Sequence, residues 1–482
     1  FLTHPGGVAH AFQAPLLPGA GVYWAFGLDG LSALFFLTIA LTVFLGALVA
    51  RVEGRFLGLA LLMEGLLLGL FAARDLLVFY VFFEAALIPA LLMLHLYGGE
   101  GRTRALYTFV LFTLVGSLPM LAAVLGARLL SGSPTFLLED LLAHPLQEEA
   151  AFWVFLGFAL AFAIKTPLFP LHAWLPPFHQ ENHPSGLADA LGTLYKVGVF
   201  AFFRFAIPLA PEGFAQAQGL LLFLAALSAL YGAWVAFAAK DFKTLLAYAG
   251  LSHMGVAALG VFSGTPEGAM GGLYLLAASG VYTGGLFLLA GRLYERTGTL
   301  EIGRYRGLAQ SAPGLAALAL ILFLAMVGLP GLSGFPGEFL TLLGAYKASP
   351  WLAALAFLSV IASAAYALPA FPNAAASSSC TRSQAAALPI SAASGRTTSP
   401  VRRSETTSSG PPASVAVITD SSVLVVGAMV VGPEFGTVAA VCTGLVFARW
   451  GLAWASLRLL VLGFAFAITV VTVLALLLVM TG

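Results

Sequence analysis

Long apolar runs alternate with short polar connections along most of this chain. Eleven runs of spanning length lie near residues 31–50, 55–73, 76–97, 105–127, 151–166, 187–209, 217–239, 244–262, 268–291, 315–346 and 351–371, and two more lie near 423–448 and 456–480. A bilayer core of roughly 30 Å takes about 20 residues of helix to cross, and a spanning segment must satisfy its own backbone hydrogen bonds. The pattern therefore predicts an all-α polytopic membrane protein with eleven to thirteen transmembrane helices.

Two of the apolar runs are interrupted in a similar way. In FALAFAIKTPLFPLHAWLPP, residues 158–177, Lys165 ends an apolar stretch, and Pro167 and Pro170 then prevent a regular helix. In MVGLPGLSGFPGEFL, residues 326–340, prolines and glycines break the run before Glu338. Paired interrupted segments are typical of transporters built from structural repeats. With about five helices in each half, an odd number, we expect the second repeat to be inverted.

The same pattern divides the chain into segments. We expect an extramembrane segment at 1–28 with a first helix missing before it, N-terminal helices at 29–130, the rest of the first repeat at 131–210 with its break at 165–177, the second repeat at 211–371 with its break at 328–338, a stretch rich in Ser, Ala, Thr and Pro at 372–422, and C-terminal helices at 423–482. The 372–422 stretch is either a natural linker or an artefact of the sequence such as a frameshift.

Composition supports the membrane assignment and excludes other classes. Of the 482 residues, 60% are hydrophobic and only 9% are charged, so a soluble fold would lack polar surface. A net charge of +1 without a basic stripe gives no reason to expect a nucleic-acid partner. The two cysteines, Cys380 and Cys442, match no metal or redox spacing. The positive-inside rule places in the cytoplasm the loops at 51–55, 98–104, 240–243 and 292–306, which carry most of the basic residues.

Ionisable residues inside the apolar runs are the candidates for chemistry. Lys165, Lys196 and Glu84 lie within spanning segments, where a charge persists only beside water, backbone carbonyls or a counter-charge. A carboxylate beside a lysine changes the proton affinity of both groups, which is how a site can load and release a proton. Glu84, Lys165 and Lys196 are therefore the predicted proton-carrying residues, and Glu338 is the counterpart of Lys165 at the second break. The alternative for Lys196 is snorkelling to an interface, and the alternative for Glu84 is a protonated carboxyl group hydrogen-bonded to a neighbouring helix. The other lysines, at 240, 243 and 347, are expected to snorkel from helix ends to the interface.

A secondary set of polar residues could extend the path. Asp189 precedes Lys196 by seven residues and so lies near the same helical face. His172 and His253 titrate near neutral pH and could relay protons. For Glu64, a structural hydrogen bond and a functional role are equally open. His179 and His183 are four residues apart, but without cysteines they make a weak metal site, and we predict none.

Five motifs resemble a known family: ARDLLVFYVFFEAALIP, AFAIKTPLFPLHAWLP, LYKVG, KDFKTLLAYAGLSHMG and GLPGLSGFPGEF. In this order they are similar to the antiporter-like membrane subunits of respiratory complex I, the proton-translocating NADH:quinone oxidoreductase, over about residues 25 to 370. Related subunits occur in multisubunit sodium/proton antiporters and membrane-bound hydrogenases. The resemblance implies that Glu84 is the carboxylate partner of Lys165, that Lys196 is the central lysine, and that His253 links it to the second half. A glutamate at 338, where other types carry lysine, favours the M type.

The resemblance also implies how such a chain works. Protons would pass from the cytoplasm to Lys165 and Lys196, cross a hydrated axis and leave past Glu338, with Glu84 as the gate. NADH, FMN, iron–sulfur clusters and quinone would be used in other subunits, and this chain would hold no cofactor. Homologous antiporter-like subunits would flank it in the bacterial inner membrane, in preference to the mitochondrial one. The alternatives are a sodium/proton antiporter or hydrogenase subunit and a structural membrane scaffold.

Two departures from the family pattern affect these expectations. The hinge HQENHPSGLADALG, residues 179–192, stands where the family usually has an Ala-Pro pair and small residues, so the route from Lys165 to Lys196 can differ here. Ser279 replaces a histidine found in many members, which weakens a histidine relay through its helix.

Overall fold

The computed structural model describes residues 9–191, 196–305, 308–370 and Arg458. The helices before the first interruption are α1 (Gly30–Val49), α2 (Gly54–Ala72), α3 (Leu76–Ala85), α4 (Leu87–Tyr97), α5 (Arg102–Ser131), α6 (Leu138–Ala143) and α7 (Glu148–Lys165). Between the interruptions lie α8 (Leu175–Glu181), α9 (Leu187–Ala190), α10 (Lys196–Ala201), a π-helical turn (Phe202–Ala206), α11 (Ile207–Leu209), α12 (Pro211–Phe237), α13 (Phe242–Phe262), α14 (Pro266–Thr297), α15 (Leu308–Ser311) and α16 (Pro313–Met326). The last two helices are α17 (Gly334–Ala348) and α18 (Pro350–Ala370).

The predicted helical membrane fold is confirmed. Eight helices in the described residues are long and apolar enough to cross a membrane. The three remaining apolar runs of residues 9–370 are helical too, but they carry charges or are interrupted: α7, α9 to α11, and α16 with α17. The runs predicted at 423–448 and 456–480, and the 372–422 stretch, lie outside the described residues.

A β-hairpin precedes the first helix, which the apolar pattern did not predict. Strands β1 (Ala9–Leu17) and β2 (Val22–Leu28) pair antiparallel. The hairpin packs on the connections that follow α2 and α5, because the Arg74 N–H donates to the Ala25 carbonyl and the Phe136 N–H donates to the Gly21 carbonyl, at 2.8 and 3.0 Å. These contacts fix the hairpin to the same end of the bundle at which α1 begins.

Side-chain caps define where several spanning helices begin. Asp29 accepts a hydrogen bond from the Ser32 N–H at the start of α1, and Asp75 accepts from the Leu77 and Val78 N–H groups at the start of α3. Asp241 caps α13 through the Thr244 N–H. Such caps satisfy backbone donors that have no partner inside the helix.

Hydrogen bonds to freed backbone groups occur at both interruptions. After α7 ends at Lys165, the Trp174 indole N–H donates to the Ile164 carbonyl at 2.9 Å, and the Phe169 N–H donates to the Ser228 hydroxyl at 2.7 Å. Between α16 and α17, the Leu329 N–H bonds the Leu324 carbonyl at 3.0 Å. Irregular backbone at membrane depth is stable only where protein or a polar cavity surrounds it. Thr166, Pro167 and Leu168 of the first break are buried, whereas Pro330 and Gly331 of the second break are exposed.

Helices α13 and α14 form the centre of the bundle. Every residue of α13 from Phe242 to Phe262 except Thr244 and Tyr248 is buried. In contrast, α5 exposes large apolar side chains along one face, among them Tyr107, Leu111, Leu118 and Leu129. The charged residues of α13 are therefore held deep in protein, while the outer helices present apolar surfaces.

Candidate functional site

The first part of the site is formed by Glu84 and Lys165. Glu84 lies one residue before the end of α3, and Lys165 is the last residue of α7. The two charges interact electrostatically, and the Ser117 hydroxyl is the hydrogen-bond partner of the carboxyl group. The Lys165 ammonium lies 5.0 Å from the centre of the Phe83 ring. It makes no hydrogen bond to any residue that the structure describes, and the groups beside it are the ring faces of Phe83 and Phe109, the latter 5.6 Å away.

The second part begins at Lys196, the first residue of α10. Its side chain is buried and interacts electrostatically with His253 of α13. It also lies against α14, since a Cβ placed on Gly280 would come within 3.9 Å of the Lys196 Cε. The structure thus brings the predicted central lysine next to α13 and α14.

Glu338 completes this part of the site. Its carboxylate Oε1 lies 3.7 Å from His253 Nδ1, and both side chains are buried. The other oxygen lies at the break between α16 and α17, where Gly328 has a φ of +69° and a Cβ would meet Glu338 Oε2 at 2.0 Å. Only glycine leaves room for the carboxylate there and adopts that backbone without strain. Ser279, by contrast, donates its hydroxyl to the Leu276 carbonyl and takes no part in this line of residues.

A separate cluster of charges surrounds Asp189, which we call the hinge cluster and which comprises Asp189, His179, Asn182 and Lys243. Asp189 Oδ1 lies 2.9 Å from His179 Nδ1 and accepts from the Asn182 amide at 2.8 Å. Its Oδ2 lies 3.0 Å from the Lys243 ammonium, which also donates to the Asn182 carbonyl at 2.6 Å. The cluster connects α8 and α9, the two short helices of the hinge region, to the start of α13.

The prediction that Lys243 snorkels to the interface is wrong. Its side chain is buried, because α13 lies at the centre of the bundle and Asp189 supplies a counter-charge. The signal in the sequence was Asp189 itself, since a carboxylate inside an apolar run requires a cation. Lys240 and Lys347 are exposed as expected, and Lys347 pairs with Glu267 at 2.6 Å.

Two residues of the secondary set lie apart from these groups. His172 is buried between the rings of Phe169 and Tyr231, whose centres are 5.6 and 4.9 Å away. Glu64 is partly exposed in the middle of α2, next to Leu61 and Leu62, which are exposed. Neither forms an ion pair with another described side chain. No group of three or more potential metal-binding residues occurs in the described ranges.

Comparisons with known proteins identify the family of this chain. Residues 73–363 match the family model described as NADH:quinone oxidoreductase/Mrp antiporter, transmembrane, and residues 429–482 match a domain of unknown function. The chain is 37% identical to NADH-quinone oxidoreductase subunit M of Rhodobacter capsulatus, over 72% of this chain and 71% of the relative. It is 33% identical to subunit M of Escherichia coli K12, over 76% and 75% of the two chains.

Solved structures give the same result. A chain of respiratory complex I from Thermus thermophilus with bound NADH superimposes with a TM-score of 0.76 at 99% identity, over 77% of this chain and 79% of that one. The Mrp complex from Dietzia has the same fold, with a TM-score of 0.68 at 24% identity over 75% of this chain and 41% of that one. On the family match and the subunit M relatives, this chain belongs to the membrane family of NADH:quinone oxidoreductase and Mrp antiporter subunits.

Proposed function

We propose that this chain is an M-type subunit of a proton-translocating NADH:quinone oxidoreductase and that it carries protons through Lys165, Lys196, His253 and Glu338. The observation that carries the proposal is the line from Lys196 through His253 to Glu338, which joins buried ionisable groups of both halves. Buried ionisable residues inside a membrane protein typically mark an ion or proton pathway. The Mrp alternative shares the family model, but the solved Mrp complex is only 24% identical to this chain.

Lys165 and Glu84 form the site at which proton movement is controlled. An ionised Glu84 near Lys165 favours the protonated lysine, because opposite charges stabilise one another at low dielectric. When the neighbouring subunit changes this pairing, Lys165 releases its proton toward Lys196. Within the described residues Lys165 donates to no protein acceptor, so its proton can leave without breaking a protein hydrogen bond.

His253 passes the charge from Lys196 to Glu338. Protonation of Lys196 disfavours a positive charge on His253, and Glu338 at 3.7 Å favours one, so a proton on the imidazole is drawn toward the second half. Glu338 then releases it past the break at Gly328 to the side opposite the basic loops. We infer that the chain works as a multi-pass subunit in the bacterial inner membrane, between other membrane subunits of the complex. The NADH, flavin, iron–sulfur and quinone chemistry would take place in those other subunits.

The test is NADH-driven proton pumping by the whole complex in vesicles, with Lys165→Ala compared to Lys240→Ala. Lys240 is exposed at a helix end and is the matched control for loss of one lysine. We expect Lys165→Ala to lose most pumping and coupled turnover while the complex stays assembled, and Lys240→Ala to behave like wild type. If both variants pump normally with and without sodium, the buried charges are not the proton route and a scaffold role takes its place.

A further inference from the structure

We propose that two layers of side chains seal the first half of the protein below Lys196, on the side opposite the basic loops, so that protons leave only through the second half. This inference rests on the proposed function and extends it by assigning residues that determine the direction of transport. The aromatic layer consists of Phe35, Phe71 and Phe200. The ionic layer consists of Asp29, Arg74, Arg204 and Glu139.

The ionic layer closes the end of the bundle at which α1 begins. Asp29 pairs with Arg204 and lies 3.7 Å from Arg74, which also pairs with Glu139. The Arg204 guanidinium donates to the Ser32 hydroxyl at 2.9 Å. Two arginines and two carboxylates balance in charge, and they join the start of α1, the connection between α2 and α3, the first turn of α6, and the π-helical turn after α10.

The aromatic layer lies one helical turn deeper. The rings of Phe35 and Phe71 stack with centres 4.8 Å apart, and Phe200 meets them edge-on at 5.5 and 4.7 Å. All three side chains are fully buried. Three rings in contact from α1, α2 and α10 leave an apolar barrier at this level.

Lys196 lies one helical turn beyond the aromatic layer, on the side away from the ionic layer. Lys196, Phe200 and Arg204 are spaced four residues apart and so follow one face of their segment. The Arg204 guanidinium lies 5.6 Å from the Phe200 ring, which joins the two layers. The antiparallel helix α1 repeats the order: Ser32 is at the ionic layer, Phe35 is at the aromatic layer, and Thr38 approaches Gly280 beside Lys196.

Neither layer can pass a proton. Apolar cavities and packed rings exclude the water that proton transfer requires. Arginine does not deprotonate in proteins, so Arg74 and Arg204 cannot act as carriers. Burial alone would raise the pKa of Asp29, but hydrogen bonds from Arg204 and from the Ser32 N–H, together with the charge of Arg204, lower its pKa to about 2. Asp29 therefore stays ionised at neutral pH and does not accept a proton from the direction of Lys196.

The test compares Phe200→Asn with Phe200→Leu in the whole complex. Asparagine and leucine have similar size and branching, so the two variants open the same space and differ in whether it attracts water. Vesicles containing the complex are given a pH gradient without NADH, and the passive decay of the gradient is followed with a pH dye. We expect severalfold faster decay than in wild type when Phe200→Asn is combined with Arg204→Gln, which opens both layers. We expect near wild-type decay when Phe200→Leu is combined with Arg204→Gln, and loss of the excess leak when Lys196→Leu is added to the first pair.

The outcomes separate the seal from the proposed function. If assembled vesicles of the Phe200→Asn and Arg204→Gln double variant are as tight as wild type, the two layers are not the seal, whatever Lys165→Ala does to pumping. If the leak persists when Lys196 is replaced, the water path does not start at Lys196 and the inference is equally wrong. Should this double variant fail to assemble, Phe71→Asn with Arg204→Gln opens the same two layers, with the same expected leak and the same dependence on Lys196.

Discussion

Replacing Lys243 with methionine tests whether the hinge cluster is a buried ionic anchor. The change keeps most of the apolar stem but removes the cation that lies 3.0 Å from Asp189 and 2.6 Å from the Asn182 carbonyl. Lys243 and Asp189 are 3% and 1% exposed, so water cannot take the place of the ammonium. Asp189 would keep His179 and Asn182 but lose its counter-charge.

The size of the effect follows from burial. Removing one partner of a buried ion pair costs about 3 to 5 kcal/mol, because a charge is left uncompensated. Lys347→Met is the matched control, since Lys347 pairs with Glu267 at 2.6 Å but the two side chains are 49% and 34% exposed. An exposed pair of this kind adds little to stability. The same substitution is therefore expected to be costly at one site and nearly neutral at the other.

The assay is thermal loss of this chain from the purified complex, followed by native gel after heating. For Lys243→Met we expect the midpoint to fall by on the order of 5 °C or more, because a loss of about 1 kcal/mol lowers the midpoint of a large domain by roughly 2 °C. For Lys347→Met we expect no shift that the assay resolves. Equal midpoints for the two variants would refute the reasoning, since burial would then make no difference to the ion pair.

Two further predictions concern the ionic layer and the second break. Asp29→Asn should destabilise the chain by about 1 to 2 kcal/mol at pH 6. The difference from wild type should shrink as the pH falls from 3.8, the usual pKa of Asp, through about 2, the pKa of Asp29, because a lowered pKa contributes stability only while the carboxylate is ionised. Thermal midpoints at pH 6 and pH 3 check this, and a constant difference contradicts it. Gly328→Ala should reduce NADH-driven pumping by displacing Glu338. Gly331→Ala is the control, because Gly331 also has a positive φ, of +92°, but a Cβ there would contact no atom, so this variant should pump more than Gly328→Ala. Equal pumping by both variants would show that backbone strain, and not contact with Glu338, is responsible.

The sequence predicted what depends on local chemistry. Apolar length predicted the helices, and the prolines after Lys165 account for the end of α7. The β-hairpin was missed because it is held by contacts with Arg74 and Phe136, which lie some 50 to 115 residues away in the chain. The burial of Lys243 was missed for the same reason, since only packing shows that α13 is the central helix. The pattern of residues alone also could not show that Lys196, His253 and Glu338 lie close together, because they come from three different helices.

The short polar contacts of the buried charges separate those that anchor from those that can carry protons. Asp189 Oδ1 lies within 2.9 Å of His179 and Asn182, and Oδ2 forms an ion pair with Lys243 at 3.0 Å, so protonating this carboxylate would weaken all three contacts at once. Lys165 and His253 donate to and accept from no protein group in the described ranges, and Glu84 has one oxygen without a partner. A group that repeatedly gains and loses a proton can do so only if each change costs little free energy. A side chain without protein hydrogen bonds meets that condition, because no hydrogen bond has to break. This contrast favours an anchoring role for Asp189 and a carrier role for Lys165 and His253, although all three are buried and ionisable.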